Sequence, residues 1–170
     1  PLDRWILSET GRLVSRVDEL LDAYDINRAI EPILEFIDAL NNWYIRRSRR
    51  RFWKSVQEGS GENDKQEAYA TLRSALLTLA KVAAPFVPFI SEEIYRNLRG
   101  DNEPESVHLC DWPDASVFVR DEELELKMEV TRRTVSLGRA LRNAHELKIR
   151  QPLKSLHIVT RNAAEKAVLL

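Results

Sequence analysis

The sequence predicts an all-α fold, an up-and-down bundle of four to five helices with a small, truncated α+β piece at the C-terminal end. Three observations carry this expectation. Apolar residues recur at steps of three and four over most of the chain, the period of a helix with one buried face. Glycine is scarce, at 5 of 170 residues, so few tight turns are expected. The polar or proline-bearing breaks near 24–27, 58–64, 83–89 and 101–119 are spaced to separate helices of bundle length. With 44% hydrophobic and 31% charged residues, the chain fits a soluble, helix-rich globular protein with one good core.

The first helix is expected over Leu2–Tyr24, with Asp3 as a cap and Trp5, Ile6, Leu13, Val14, Val17, Leu20 and Leu21 on its inner side. Gly11 is a weak point in it. After a break at Tyr24–Asn27, where Asp25 or Asn27 can cap, a second helix runs from about Ile26 to Lys54. Its apolar stripe is Ile30, Ile33, Ile37, Leu40 and Tyr44. Pro32 predicts a kink or a late start. A third helix covers about Lys65–Ala84, with Leu72, Leu76, Leu79, Ala80 and Ala83 inside. Pro85 and Pro88 separate it from a fourth, Ile90–Leu98, ended by a cap at Gly100. Asp101–Val119 reads as a long irregular connection, in which Val107–Leu109 is too short for a strand. A fifth helix is expected over Asp121–Lys148, its acidic first turn facing the positive end of the helix dipole and Pro152 ending it. Leu156–Thr160 is β-like and Asn162–Leu170 helix-like. A lone strand needs partners, so the domain boundaries are placed at 1–153 for the bundle and 154–170 for the start of a truncated subdomain.

Composition excludes several classes. The formal net charge of -1 does not mark a nucleic-acid binder, and no apolar run has membrane length. The single cysteine, Cys110, leaves no internal disulfide and no cysteine-cluster metal site. The chain starts at Pro1 and ends in AAEKAVLL, and both ends read as cuts through a longer polypeptide.

Charge distribution is more informative than net charge. Asn42–Lys54 reads NWYIRRSRRRFWK and holds Arg46, Arg47, Arg49, Arg50, Arg51 and Lys54 without one acidic residue. Trp43, Tyr44, Phe52 and Trp53 bracket these cations. Arginines crowded on a short helical segment repel each other, and a polyanion such as phosphate relieves them. Arg46, Arg50 and Lys54 share one helical face, and Arg47 and Arg51 the next. Trp43 and Tyr44 are read as structural anchors at the end of the apolar stripe. Trp53 lies in the basic zone, where it can stack an unpaired base or carry Arg49, one turn before it. Lys148 and Arg150, with Lys154, form a second basic patch. The opposing reading pairs the arginines with acidic protein surfaces, which makes the chain an interdomain or protein-interaction module.

Nothing assembles a reaction centre. His108, His145 and His157 stand at no metal-ligand spacing and are read as structural. Glu92 and Glu93 diverge on their helix and are read as solvated or ion-paired. Asp121–Glu125 is read as a helix start. No glycine-rich phosphate loop occurs.

Six stretches in this order, LDRWILS (2–8), YDINRAI (24–30), NWYIRRSRRRFW (42–53), LAKVAAPFVPFISEEIY (79–95), SVHLCDWP (106–113) and KIRQPL (148–153), resemble the isoleucyl-tRNA synthetase family. The APFVPFISEE stretch and the tryptophan–tyrosine pair also suit the related valyl-tRNA synthetases, which stand as a second alternative. IRRSRRRFW with KIRQPL favours isoleucine. The resemblance implies the anticodon-binding domain of a class I aminoacyl-tRNA synthetase, a cytoplasmic ligase of protein biosynthesis that joins isoleucine to its tRNA with ATP. The HIGH- and KMSKS-like signatures of the catalytic domain are absent from this sequence, so no catalytic residue is assigned. ATP and Mg would serve the parent chain, and zinc the region beyond the C-terminus. The implied partners are tRNA for isoleucine and the parent's catalytic domain, with the fragment monomeric and away from membranes. The family-matching positions are Trp43, Arg46, Arg47, Arg49, Arg50, Arg51 and Trp53.

Overall fold

In the computed structural model, which describes residues 1–53, 62–160 and 163–169, the predicted periods resolve into helices. Helix α1, Leu2–Asp22, buries Trp5, Ile6, Leu13, Val14, Val17 and Leu20. Asp3 is not the N-cap: that position is Pro1, which makes no side-chain cap bond. Gly11 is a site of close approach. A Cβ there would come within 2.8 Å of Phe118 Cβ, so a bare backbone lets the 115–118 segment lie against α1. The helix stops at Tyr24, whose φ of 57° is left-handed, while the Asp25 amide donates to the Leu20 carbonyl at 2.8 Å.

Helix α2, Ile26–Asp38, is capped by the Asp25 carboxylate, which accepts from the Arg28 amide. The helix begins at Ile26, so Pro32 lies inside it and there is no late start. The chain then continues through a π-helical segment, Ala39–Ile45, into α3, Arg46–Trp53. The inner line of this run is Ala29, Ile33, Phe36, Leu40, Tyr44, Ser48 and Phe52. Steps of four drift by about 40° each in a straight α-helix. The π segment, with its i→i+5 bonding, takes up that drift and keeps Tyr44, Ser48 and Phe52 turned inward. Ile30 and Ile37, expected inside, lie off this line and stay 39% and 37% exposed.

Helix α4, Glu62–Ala83, packs on α1, α3 and α5. It buries Ala68, Thr71, Ala75, Thr78, Leu79, Ala80, Val82 and Ala83, whereas Leu72 and Leu76 are only half-buried. Small residues at these positions let neighbouring helices approach. Pro88 opens α5, Pro88–Leu98, as predicted. Gly100 is not a left-handed cap; α5 ends on an extended Arg99, and the Gly100 amide donates to Glu103. Tyr95 is fully buried among Leu77, Ala80, Ala84 and Val107, and its hydroxyl donates to the Pro104 carbonyl at 2.9 Å. The connection that follows is irregular, with short 3₁₀ turns at Val107–Leu109 and Ala115–Val117. Glu92 is half-buried and, among the described residues, forms no ion pair: its carboxylate accepts from the Ser106 hydroxyl and the Val107 amide, both at 2.9 Å.

These elements form one compact unit, Pro1–Arg120; Asp121–Leu170 forms another. In the second unit α6, Glu122–Ala144, starts on Asp121, whose carboxylate accepts from the Leu124 amide at 3.1 Å. It ends four residues short of the expected Lys148. Glu146 turns left-handed at φ 55°, and Arg142 donates to the carbonyls of Lys148 and Gln151 at 2.8 Å each. Pro152 therefore plays no part in stopping it. Helix α7, Ala163–Leu169, is tied to α6 by an Arg133–Glu165 ion pair. Among the described residues Leu156–Thr160 forms no strand, so the expected β component is absent there. They have no strand to pair with among the described residues, and Leu156, Ile158 and Val159 remain exposed.

Candidate nucleic-acid interface

The site is built outward from Tyr44. Its ring is fully buried and stands edge-on to Phe52 at 6.4 Å, and Phe52 is edge-on to Tyr69 at 5.2 Å. This aromatic row clamps α3 against α4. The Tyr44 hydroxyl lies 2.7 Å from Asp3 Oδ1 and 3.2 Å from the Ala68 carbonyl. Burial, with the Asp3 carboxylate next to it, pushes the Tyr44 phenol well above its ordinary range, so the proton stays on it.

Asp3 links this row to the arginines. Arg51 Nη1 donates to Asp3 Oδ1 at 2.8 Å, and Arg51 Nε donates to Asp64 Oδ1 at 2.9 Å. Burial alone would raise the Asp3 carboxyl, but hydrogen bonds from Arg51 and Tyr44 outweigh it and hold the group below its usual value. Arg51 is likewise pushed upward, first by its bond to Asp3. Arg51 thus ties α1, α3 and α4 together through two carboxylates.

The remaining arginines behave differently. Arg46, Arg47, Arg49 and Arg50 are exposed, and none forms an ion pair among the described residues. Arg49 stacks instead, its Cζ 5.3 Å from the centroid of the Trp53 ring, and Trp53 is 70% exposed. Trp43 is half-buried, a weaker anchor than Tyr44. Lys54 lies outside the described residues. Lys148 and Arg150 are exposed in the second unit, on the turn that Arg142 holds, and Lys154 is exposed beyond it.

Sequence reasoning missed Asp3 and Asp64 as partners of the run. Asp3 carries the signal of an acid near a helix start, which suggested only a local cap. Asp64 sits in a polar loop-to-helix boundary that carries no sign of a distant partner. The histidines join no metal group: among the described residues no three His, Cys, Asp or Glu side chains gather to hold an ion.

A helical bundle that sinks one arginine and presents four others with a stacked tryptophan carries the local charge pattern that suits a polyanion. Its family follows from comparison. Residues 3–158 match the model of the anticodon-binding domain of tRNA ligase, and the chain belongs to that family. The isoleucine–tRNA ligase of Treponema denticola is 56% identical over 170 residues, all of this chain and 15% of that relative. Its counterpart in Treponema pallidum is 50% identical over the same length. That of Chlamydia trachomatis is 45% identical over 167 residues, 98% of this chain and 16% of the relative. The chain thus spans about 15% of the length of the curated relatives it matches.

Proposed function

We propose that this chain docks the anticodon stem-loop of the tRNA for isoleucine, as one domain of a longer isoleucine–tRNA ligase that joins isoleucine to that tRNA with ATP. The observation that carries this reading is the outward set Arg46, Arg47, Arg49 and Arg50, unpaired among the described residues in a family of anticodon-binding domains. Planar guanidinium forks match phosphate oxygens, and the choice of isoleucine over valine rests on the names of the relatives. In this reading the domain positions the tRNA while chemistry occurs in a catalytic domain of the same polypeptide, with ATP and Mg bound there. Zinc, where a parent binds it, belongs to the region after residue 170. Residues 154–170 begin that further subdomain, and the domain works as a monomer in the cytoplasm.

Titration of the 170-residue chain with isoleucine tRNA at several salt concentrations tests the reading. Four phosphate contacts give a slope of log K against log salt of about -3 to -4. Salt-independent binding, or none at about 50 mM salt, overturns it. The same titration with valine tRNA tests the amino-acid assignment, for which weaker binding is expected.

A further inference from the structure

The ends of α3 and α4 border a hollow whose lining includes groups that phosphate binding does not use. Arg50, Arg51, Trp53 and Asp64 line an open hollow of about 560 Å³. Arg49 stacks on the Trp53 indole, and Trp53 is among the residues that line this hollow. Asp64 contributes a carboxylate held in place from one side. Its Oδ1 receives Arg51 Nε at 2.9 Å and Arg51 Nη2 at 2.8 Å, and its backbone carbonyl also accepts from Nη2. Among the described residues Oδ2 accepts nothing, and the side chain is 56% exposed. A stacking surface, a fixed acceptor and flanking cations thus line one space.

We propose that this hollow is a nucleobase subsite for an unpaired base bearing an amino donor, with Trp53 stacking on the ring and Asp64 Oδ2 accepting from the amino group. The inference rests on the RNA-binding reading above and deepens it. A carboxylate accepts and never donates while ionised. Cytosine offers its N4 amino group, adenine its N6 amino group, and guanine adjacent N1–H and N2 donors. Uracil offers one N–H between two carbonyl oxygens, which a carboxylate repels. Stacking is indifferent to this distinction, since every base has a π-face. Preference among bases in the hollow therefore comes from Asp64. Arg51 acts as a positioning residue: it neutralises the carboxylate beside a phosphate chain and fixes which oxygen faces the base. Arg50 lies beside the same space to hold the phosphate of that nucleotide.

Short single-stranded oligocytidine and oligouridine of equal length test this at neutral pH and low salt. Their phosphate charge is identical and both are pyrimidines, so the comparison reads the exchange of a 4-amino for a 4-oxo edge. The native chain is expected to bind oligocytidine about tenfold more tightly, the lower range for one acceptor-to-base contact. In Asp64→Asn the ratio falls to within about twofold, because an amide both donates and accepts. Trp53→Leu weakens both oligonucleotides together. Melting curves of the variants report whether α3 and α4 stay docked. A ligand-side substitution needs no variant: oligonucleotides of pyrimidin-2-one riboside, which lack the 4-amino group, bind the native chain as weakly as oligouridine. Equal binding of the cytidine, uridine and pyrimidinone probes, with tRNA still bound, overturns the subsite alone. Absence of binding to every oligonucleotide and to tRNA overturns the RNA-binding reading itself.

Discussion

Two sides of one short helix use the same residue type for opposite purposes. On the inner side of α3, Arg51 joins Asp3 and Asp64 while Ser48 and Phe52 are buried beside it. On the outer side Arg46, Arg47, Arg49 and Arg50 have no ion-pair partner among the described residues. The difference comes from position relative to the buried line Tyr44–Ser48–Phe52. Arg51 stands next to Phe52 and three residues past Ser48, so its stem runs along the packed edge and its head reaches carboxylates on α1 and α4. The other four project away from that edge. Density of positive charge alone therefore does not identify a ligand-binding arginine; the local helix register does.

The largest expected effect separates the two sides through their anchor. Tyr44→Ala removes a fully buried ring and is expected to cost about 3–5 kcal/mol of stability. Tyr44→Phe keeps the ring and loses the hydroxyl's bonds to Asp3 and to the Ala68 carbonyl, for about 1–2 kcal/mol. Denaturant titrations measure both. Below its melting point Tyr44→Phe should retain the native salt slope for tRNA, since no outward arginine moves. A lost slope in that variant breaks the division between a structural and a binding side.

Replacing Arg46, Arg47, Arg49 and Arg50 together by Ala makes the converse test. Four contacts account for roughly a hundredfold change in affinity between about 50 and 200 mM salt, and that dependence should largely vanish. Exposed substitutions of this kind leave stability within about 0.5 kcal/mol each. A variant that instead melts early while binding tRNA normally supports the protein-interaction reading of the run.

Arg51→Ala is expected to cost about 1–2 kcal/mol. It leaves two carboxylates without their shared cation, and solvent around Asp64 reduces the penalty. The salt slope for tRNA should stay near the native value. Its pH dependence sharpens the contrast. Asp3 has a folded-state value below that of the unfolded chain, so its pairing stabilises fully above the unfolded value and is lost as pH falls through the folded one. Native stability should thus decline below about pH 4, and Arg51→Ala should flatten part of that decline. Thermal melts between neutral and acid pH show whether it does.

Much of this was legible in the sequence. The helices, the Asp25 cap, the Pro88 start and the Arg49–Trp53 stack follow from local spacing, because each is a contact within one or two turns. Tyr44 as an anchor was also visible, as the last member of an apolar stripe. Long-range pairing was not: nothing near Asp3 or Asp64 marks Arg51 as their partner, because the pairing depends on how α1 and α4 meet α3. Helix ends were missed for a related reason. Gly100 and Pro152 were read as stops by residue preference, yet the left-handed residue at the end of α6 is Glu146, an acid with no special preference for that conformation. Resemblance to a synthetase family reached the anticodon-binding assignment before any geometry, but it could not separate Arg51 from its neighbours.

The smallest predicted effect tests whether the inner side is held by packing or by polar bonds. Ser48 is 1% exposed, and its hydroxyl has no hydrogen-bond partner among the described residues. A buried hydroxyl without a partner costs free energy. Ser48→Ala removes that group at nearly constant shape, so stability should hold or rise by up to about 1 kcal/mol. The position lies just after the π segment, where four-residue spacing keeps 44, 48 and 52 in line, and a small side chain there lets α3 approach its neighbours. A clear loss of stability in Ser48→Ala would show that the hydroxyl is bonded in solution and that the inner side depends on a polar contact at its centre. Unchanged or higher stability places the weight on the Tyr44–Phe52–Tyr69 row and on Arg51, leaving the outward arginines to set affinity without setting the fold.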